Sequence, residues 1–476
     1  MLRLPDAVQP LIRGFEKAFT RPSFERFVAL SLGAIVTFGR RTVSRILWTL
    51  GSAAAGDPSN YHRLFSRARW SLWPLGKVLA CAVLELIPPD QPVLCAIDDT
   101  ILEHRGNHVY AKACHRNAVG SARGMATRWG HRWVVLAVLV KLPFAARPWA
   151  LPLLCALYRS AALDQKEHRR HQTPCELARH LLAVLLHWFP QRRFIALGFI
   201  ALGDGGFASH DLAWFAHRHR DRLTFIARAN PKMNLHVLPP QHTFCRQTLW
   251  RRRRGDIGHP RCRRGHKLAS PADTVKAARA KGNRSLPTQL LHWYGQSKKL
   301  MQIFSAAGGW YRARGNGTGA LVPLRWVYTC DPKKPAQQDW FFCTDPMLKP
   351  RQIVESFAGR WSIEVSFEEV RAHLGLSSTR QRCRQSVLRG VPWMLGLFSL
   401  ISLIFTRLWQ ESRSGQPLHE TPCYHKCEPT FSDALYAVRR HIWDGCLLKH
   451  VLGRERAATL PTPLKRKLIT YLAEAA

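Results

Sequence analysis

Two apolar runs in this sequence each end on a carboxylate: Asp98 and Asp99 follow VLCAI, and Asp204 follows FIALGFIAL. Active sites of open α/β sheets lie at the carboxyl edges of strands, so carboxylates placed there are candidates for chemistry. An Asp after a strand is also a common turn former, which is the plainer reading of each site alone. A third carboxylate, Glu364, stands in FAGRWSIEVSFEEVRAHLGL. There Ile363, Phe367, Val370 and Leu374 recur at helical spacing as an apolar stripe, and Arg360, Glu364, Glu368 and Arg371 form a polar stripe beside it. Taken by itself, that polar stripe is what a solvated helix face with ordinary ion pairs looks like.

The segments that must position these residues alternate between two periods. VLCAI (93–97), RWVVLAVLVKL (132–142) and RPWALPLLCALY (147–158) read as three strands of a sheet. A helix should start after Thr173, which can cap it, with Pro174 in the first turn and Glu176 completing a capping box before LARHLLAVLLHWF. A buried strand at 194–202 follows, then Gly203, Asp204, Gly205 and Gly206, with Ser209 placed to cap another helix. Strand and helix in alternation predict an α/β fold with a helix-covered sheet. Residues 1–90 read as an N-terminal helical domain whose Arg- and Trp-rich faces suit DNA contact or a simple helical cap. The core then runs over 91–221 and 339–410, interrupted at 222–338 by a β-rich insertion with strands such as LTFIARA and LRWVYTC, and 411–476 form a C-terminal tail for dimerisation or DNA contact.

Lys and Arg total 71 against 31 acidic residues, a net charge of +40 that implies a polyanionic partner. Within the insertion, Arg246 to Lys267 holds nine Lys or Arg and one Asp, making Arg251, Arg252, Arg253 and Arg254 candidates for DNA backbone contact. The 46% apolar share belongs to a folded protein, and 476 residues suggest roughly three units at about 150 residues per domain. The 13 cysteines have no repeated spacing and read as reduced, intracellular thiols. Cys423 and Cys427, with His419 and His425, lack the second CxxC pair of a zinc finger and read as loop cysteines. The N-terminus lacks the apolar core of a signal peptide, and the run from Val391 to Phe405 falls short of the ~20 residues of a bilayer span. A cytoplasmic, nucleoid-associated protein with no membrane partner is expected.

In combination these residues resemble the DDE transposases of bacterial insertion sequences, in the branch with a Y-x2-R-x3-E-x6-K signature. Phe357, Arg360, Glu364 and Arg371 occupy its four positions, with the tyrosine and lysine replaced. AIDDT (96–100) resembles the family's first aspartate strand and ALGDGGFAS (201–209) its second, and the 160 positions from Asp204 to Glu364 accommodate the branch's β-strand insertion. The resemblance covers about residues 90–400.

The resemblance implies a ribonuclease H-like mixed sheet flanked by helices, with Asp99, Asp204 and Glu364 holding two magnesium ions for which manganese could substitute. Hard cations prefer oxygen ligands, and two of them can activate a water or 3′-hydroxyl and stabilise the leaving oxygen. Arg360 and Arg371 would bind phosphate or orient the glutamate, and glycines 203, 205 and 206 would let the backbone approach metal or phosphate. Neighbouring strand residues face opposite ways, so one of Asp98 and Asp99 holds metal. The family's aspartate immediately before threonine favours Asp99, with Asp98 the alternative, paired with a nearby arginine or capping a backbone group. The implied activity is cut-and-paste transposition by a homodimer acting on double-stranded DNA, both terminal repeats and target. The rival readings are a DDE-type nuclease or integrase on other DNA, and a catalytically silent DNA-binding protein derived from a transposase.

Overall fold

The computed structural model describes residues 6, 8–116, 127–198, 206–238, 265–280, 286–294, 296–313, 319–378, 380–412 and 426–474. Asp204 with glycines 203 and 205, Arg251, Arg252, Arg253, Arg254, Cys423, His419 and His425 lie outside them. The chain begins with helices α1 (Gln9–Arg13), α2 (Arg21–Val36), α3 (Val43–Leu50), α4 (Pro58–Ser66) and α5 (Leu72–Leu84). Strands β1 (Val93–Glu103), β2 (Ala113–Arg116), β3 (Thr127–Val140) and β4 (Trp149–Tyr158) follow, then α6 (Ala161–Lys166) and α7 (Pro174–Trp188). Next come β5 (Phe194–Gly198), α8 (His210–Arg218), β6 (Leu223–Arg228), β7 (Leu235–His236) and α9 (Pro271–Ala280). Strands β8 (Thr288–Trp293), β9 (Gln296–Ala313), β10 (Gly319–Asp331) and β11 (Lys334–Cys343) lead into α10 (Pro350–Gly359) and α11 (Ser362–Leu374). The C-terminal part holds α12 (Arg384–Glu411), α13 (Phe431–Ile442), α14 (Leu448–Leu452), α15 (Arg454–Thr459) and α16 (Thr462–Ala473).

These elements fall into two compact units. One comprises Met1–Pro88, Asp99–His171 and Ser362–Ala476; the other comprises Pro89–Asp98 and Gln172–Trp361. The division crosses β1 between the two neighbouring aspartates.

In the first unit, β3 pairs antiparallel with both β2 and β4. β3 reads as a near-continuous buried run from Gly130 to Val140, the pattern of a strand covered on both faces. Gly130 has a specific reason: a Cβ there would collide with the carbonyl of Leu102, so only glycine lets the backbones of β1 and β3 approach this closely. Helix α12 supplies much of the core. Its most apolar window is long and hydrophobic enough to cross a bilayer by composition, yet 83% of it is buried within the protein. Ser399 Oγ donates to the Pro152 carbonyl (2.7 Å), fastening this helix to β4, and Trp393 Nε1 donates to Ser31 Oγ on α2 (3.1 Å). Residues 1–88 therefore share one compact unit with the C-terminal helices.

In the second unit, β1 pairs in parallel with β5 from Val93↔Phe194 to Ile97↔Gly198, and β5 pairs in parallel with β6. β11 joins β6 antiparallel, and β10 and β9 follow as antiparallel neighbours. The mixed sheet with flanking helices expected from the sequence is present. β6, in the segment read as the start of the insertion, is part of its parallel portion. The α7 capping box forms as expected, with Thr173 Oγ1 accepting from the Glu176 amide and the Thr173 amide donating to Glu176 Oε2. Ser209 caps α8 by accepting the Leu212 amide.

Candidate active site

β1 runs through both aspartates to Glu103, past the VLCAI segment, although its parallel pairing with β5 stops at Ile97. Asp98 is thus the first residue beyond the parallel-paired edge. Alternation along the strand places Asp98 and Thr100, both buried, on one face and the half-buried Asp99 on the other.

In the second unit, Arg360 Nη1 donates to Asp98 Oδ2 at 2.6 Å, and the Arg360 side chain is only 1% exposed. Its guanidinium lies 5.7 Å from the centroid of Phe357, which packs in turn on Phe341. Phe357 therefore acts as an apolar wall for the cation. Burial raises the pKa of the Tyr294 hydroxyl, with the Arg228 and Arg360 charges acting against that rise. Removing either member of a buried ion pair strands the other charge, at a cost of about 3–5 kcal/mol.

Arg360 does not continue the helix of Glu364, as the spacing predicted. The chain leaves α10 through i→i−3 bonds, Arg360 N to Phe357 O and Trp361 N to Ala358 O, and α11 begins at Ser362. Gly359 is a weak helix former, and the buried contact with Asp98 gives Arg360 a partner that a solvent-facing stripe would not.

In the first unit, Asp99 is held by a two-pronged contact from β3: Arg132 Nε to Oδ2 at 2.7 Å and Nη2 to Oδ1 at 3.0 Å. Such a fork matches carboxylate geometry and is among the stronger charge-assisted arrangements. Arg132 also lies 5.8 Å from the Tyr158 ring centroid. The His115 pKa is lowered by burial and then by Arg132, while Asp99 acts in the opposite sense. Nearby in the chain, His104 and His131 meet edge to face at 4.4 Å. Burial first, then the charges of His131 and Lys112, bring the His104 pKa down to about 4.

Glu364 stands half-buried in the first turn of α11, where the helix dipole favours an anion. The apolar stripe Ile363, Phe367, Val370 and Leu374 is buried as expected. Ser366 Oγ donates to the Ala150 carbonyl (2.7 Å), seating α11 on β4. Two turns beyond Glu364, Arg371 Nη2 donates to Thr100 Oγ1 on β1. Burial lowers the Arg371 pKa, against the influence of Glu368.

The structure thus links the helix of Glu364 to the acidic strand at Thr100 and sets an arginine against each aspartate, Arg360 against Asp98 and Arg132 against Asp99. Among the described residues no group of three or more His, Cys, Asp or Glu side chains stands ready to hold a metal ion. The candidate donors are nonetheless carboxylate oxygens, the ligands a hard divalent cation prefers. Arg132 and His115 were not singled out from the sequence, and Thr100 only as the residue that follows Asp99, because contacts between strands carry no fixed sequence separation.

A family model described as "DDE superfamily endonuclease" matches residues 14–300. The match includes Asp98, Asp99 and Asp204, as well as the N-terminal helices from α2 on, and ends before Glu364. Among solved structures, the chain is similar to the piggyBac transposase synaptic complex with hairpin DNA, determined by cryo-EM. That similarity has a TM-score of 0.39 and 11% identity, over 98% of this chain and 80% of the other. No curated protein sequence matches the chain.

Proposed function

The chain belongs to the DDE superfamily endonucleases, and on that premise we propose that it is the DNA transposase of a bacterial insertion sequence, cutting at the element's ends and joining them to target DNA. The observation that carries this reading is the Arg371–Thr100 contact, which ties the helix bearing Glu364 to the strand bearing the aspartate pair. The order Asp, Asp, Glu and the partial Y-x2-R-x3-E-x6-K pattern support it. The net charge of +40 supports double-stranded DNA as the partner, and a homodimer would bring two element ends together.

Asp99, Asp204 and Glu364 would hold two magnesium ions, with manganese able to substitute and Asp98 the alternative first carboxylate. Bound there, such ions supply charge stabilisation to a phosphoryl oxygen and lower the pKa of a water or hydroxyl. Arg371, anchored at Thr100, positions the Glu364 helix. Arg360, buried against Asp98, fixes the strand end, a role different from the phosphate contact expected from the signature. Phe357 lines the Arg360 pocket where the family has a tyrosine.

The test is Glu364→Gln, which keeps side-chain size and removes the charge a divalent cation needs. Metal-dependent cleavage of a duplex carrying the element's terminal repeat should fall to background while duplex binding and the unfolding midpoint stay at wild-type values. Cleavage near the wild-type rate would return Glu364 to an ordinary solvated helix face. A wild-type chain that binds DNA but cleaves none with magnesium or manganese would favour the silent DNA-binding reading.

A further inference from the structure

Within the first unit, helices α2 and α4 border a hollow of about 210 Å³ lined by Ser23, Arg26, Asn60, Arg63, Leu64, Arg67 and Ala68. Three of its lining residues are arginines and none is acidic. No ion pair or hydrogen bond engages these three guanidiniums among the described residues. Two carboxylates act near the rim without forming an ion pair to these arginines: Glu25 faces Arg21 at 3.5 Å, and Asp57 caps α4 by accepting the Ser59 amide at 2.6 Å, its pKa lowered by its hydrogen bonds with Ser59 and further by the Arg63 charge. The Leu64 carbonyl, which would otherwise turn a negative dipole to the hollow, accepts from Trp70 Nε1 (2.7 Å) and Arg389 Nη1 (3.2 Å).

Every other polar group at the rim can donate. Ser23 Oγ accepts from Thr20 Oγ1 at 3.1 Å, which leaves its own hydroxyl proton for a ligand. Ser23 also lies in the first turn of a 16-residue helix whose N-cap, Thr20, makes no side-chain cap bond, so the positive end of that helix adds to the field. Asn60 carries an amide NH2. Three guanidiniums around one hollow repel each other, and like charges one helical turn apart, as Arg63 and Arg67 are, destabilise a helix. An anion removes that cost.

We infer that this hollow seats a phosphodiester of duplex DNA, a contact outside the carboxylate site that rests on the reading of the chain as a DNA-acting enzyme. Planar guanidinium forks match two phosphate oxygens at once, and the exposure of Arg63 and Arg67 leaves the hollow open to a duplex lying across the surface. A contact of this kind sets the position of the DNA and reads no base.

The test is binding of a random-sequence duplex, followed by fluorescence anisotropy across a salt series. The triple variant Arg26→Gln, Arg63→Gln, Arg67→Gln should bind more weakly to every sequence, and the slope of log K against log salt should drop by about 0.9 for each phosphate that the variant no longer neutralises. The triple Arg→Lys variant should keep the slope, because it keeps the charge. Arg21→Gln, on the same helix but facing Glu25, should change neither slope nor affinity. Unfolding midpoints of all variants check that they fold. If the wild type binds duplex with a steep slope and the Gln triple matches it, this inference fails and the proposed function stands. If the Gln triple fails to bind inorganic pyrophosphate yet binds duplex as the wild type does, the inference is also overturned, and the hollow belongs to a small free anion. A wild type that does not bind duplex DNA sinks both.

Discussion

Asp98 and Asp99 are adjacent in sequence, yet the structure treats them as members of two regions. Asp98 ends the part of β1 that belongs with the parallel strands, and it meets a cation that water scarcely reaches. Asp99 begins the part that belongs with β3 and β4, where its arginine is 13% exposed and approaches with both prongs. One is a desolvated pair whose members depend on each other; the other is a geometrically specific pair at the margin of solvent. The carboxylates themselves are similarly shielded, 10% and 14% exposed, so the difference between the two pairs lies in their arginines. The face shared by Asp98 and Thr100, however, is the one that Arg371 reaches from α11.

The largest effect that can break this comparison is catalytic. With the first aspartate of the proposed site at Asp99, Asp99→Asn should abolish magnesium-dependent cleavage of a terminal-repeat duplex, while Asp98→Asn, if folded, should retain it. Loss confined to Asp98→Asn would reverse the assignment and make the Thr100 face the metal face. Loss in both would give Asp98 a supporting role.

Stability should sort the two pairs in the opposite order. Asp98→Asn removes the carboxylate charge that the buried Arg360 guanidinium meets at 2.6 Å and should cost up to about 3–5 kcal/mol. Asp99→Asn weakens charge-assisted hydrogen bonds at a more exposed site, a change of about 1.5–3 kcal/mol at most. Chemical denaturation of the two variants measures the difference. Equal costs would mean that the burial of Arg360 does not set the Asp98 environment apart.

The smallest effect is on pH dependence, and it belongs to the unit of Asp99. The folded pKa of His104 is depressed to about 4 by burial, below an unfolded value of about 6.5. The unfolded chain therefore binds a proton that the folded chain refuses, and this contribution to stability is present above pH about 6.5 and is lost as pH falls toward 4. His131 and His115 are shifted the same way, also mainly by burial. Replacing His104 with Phe should flatten the fall in unfolding midpoint over that window. An unchanged acid profile in this variant would show that the His104–His131 contact is not what titrates.

The elements whose signal is local were legible in the sequence. The α7 capping box, the Ser209 cap, the apolar stripe of α11 and the buried character of α12 each depend on residues a few positions apart, so propensity and periodicity suffice to find them. The candidate carboxylates could be named for the same reason, since strand ends and helical spacing are local patterns. What only the tertiary structure decided is how those carboxylates are partnered. That Arg360 turns out of the Glu364 helix to meet Asp98, that Arg132 clasps Asp99 from β3, and that β6 pairs with β5 all join residues far apart in the chain. Sequence spacing sets no such contact. It is fixed by which groups are left to satisfy a charge once the surrounding apolar surface has been buried.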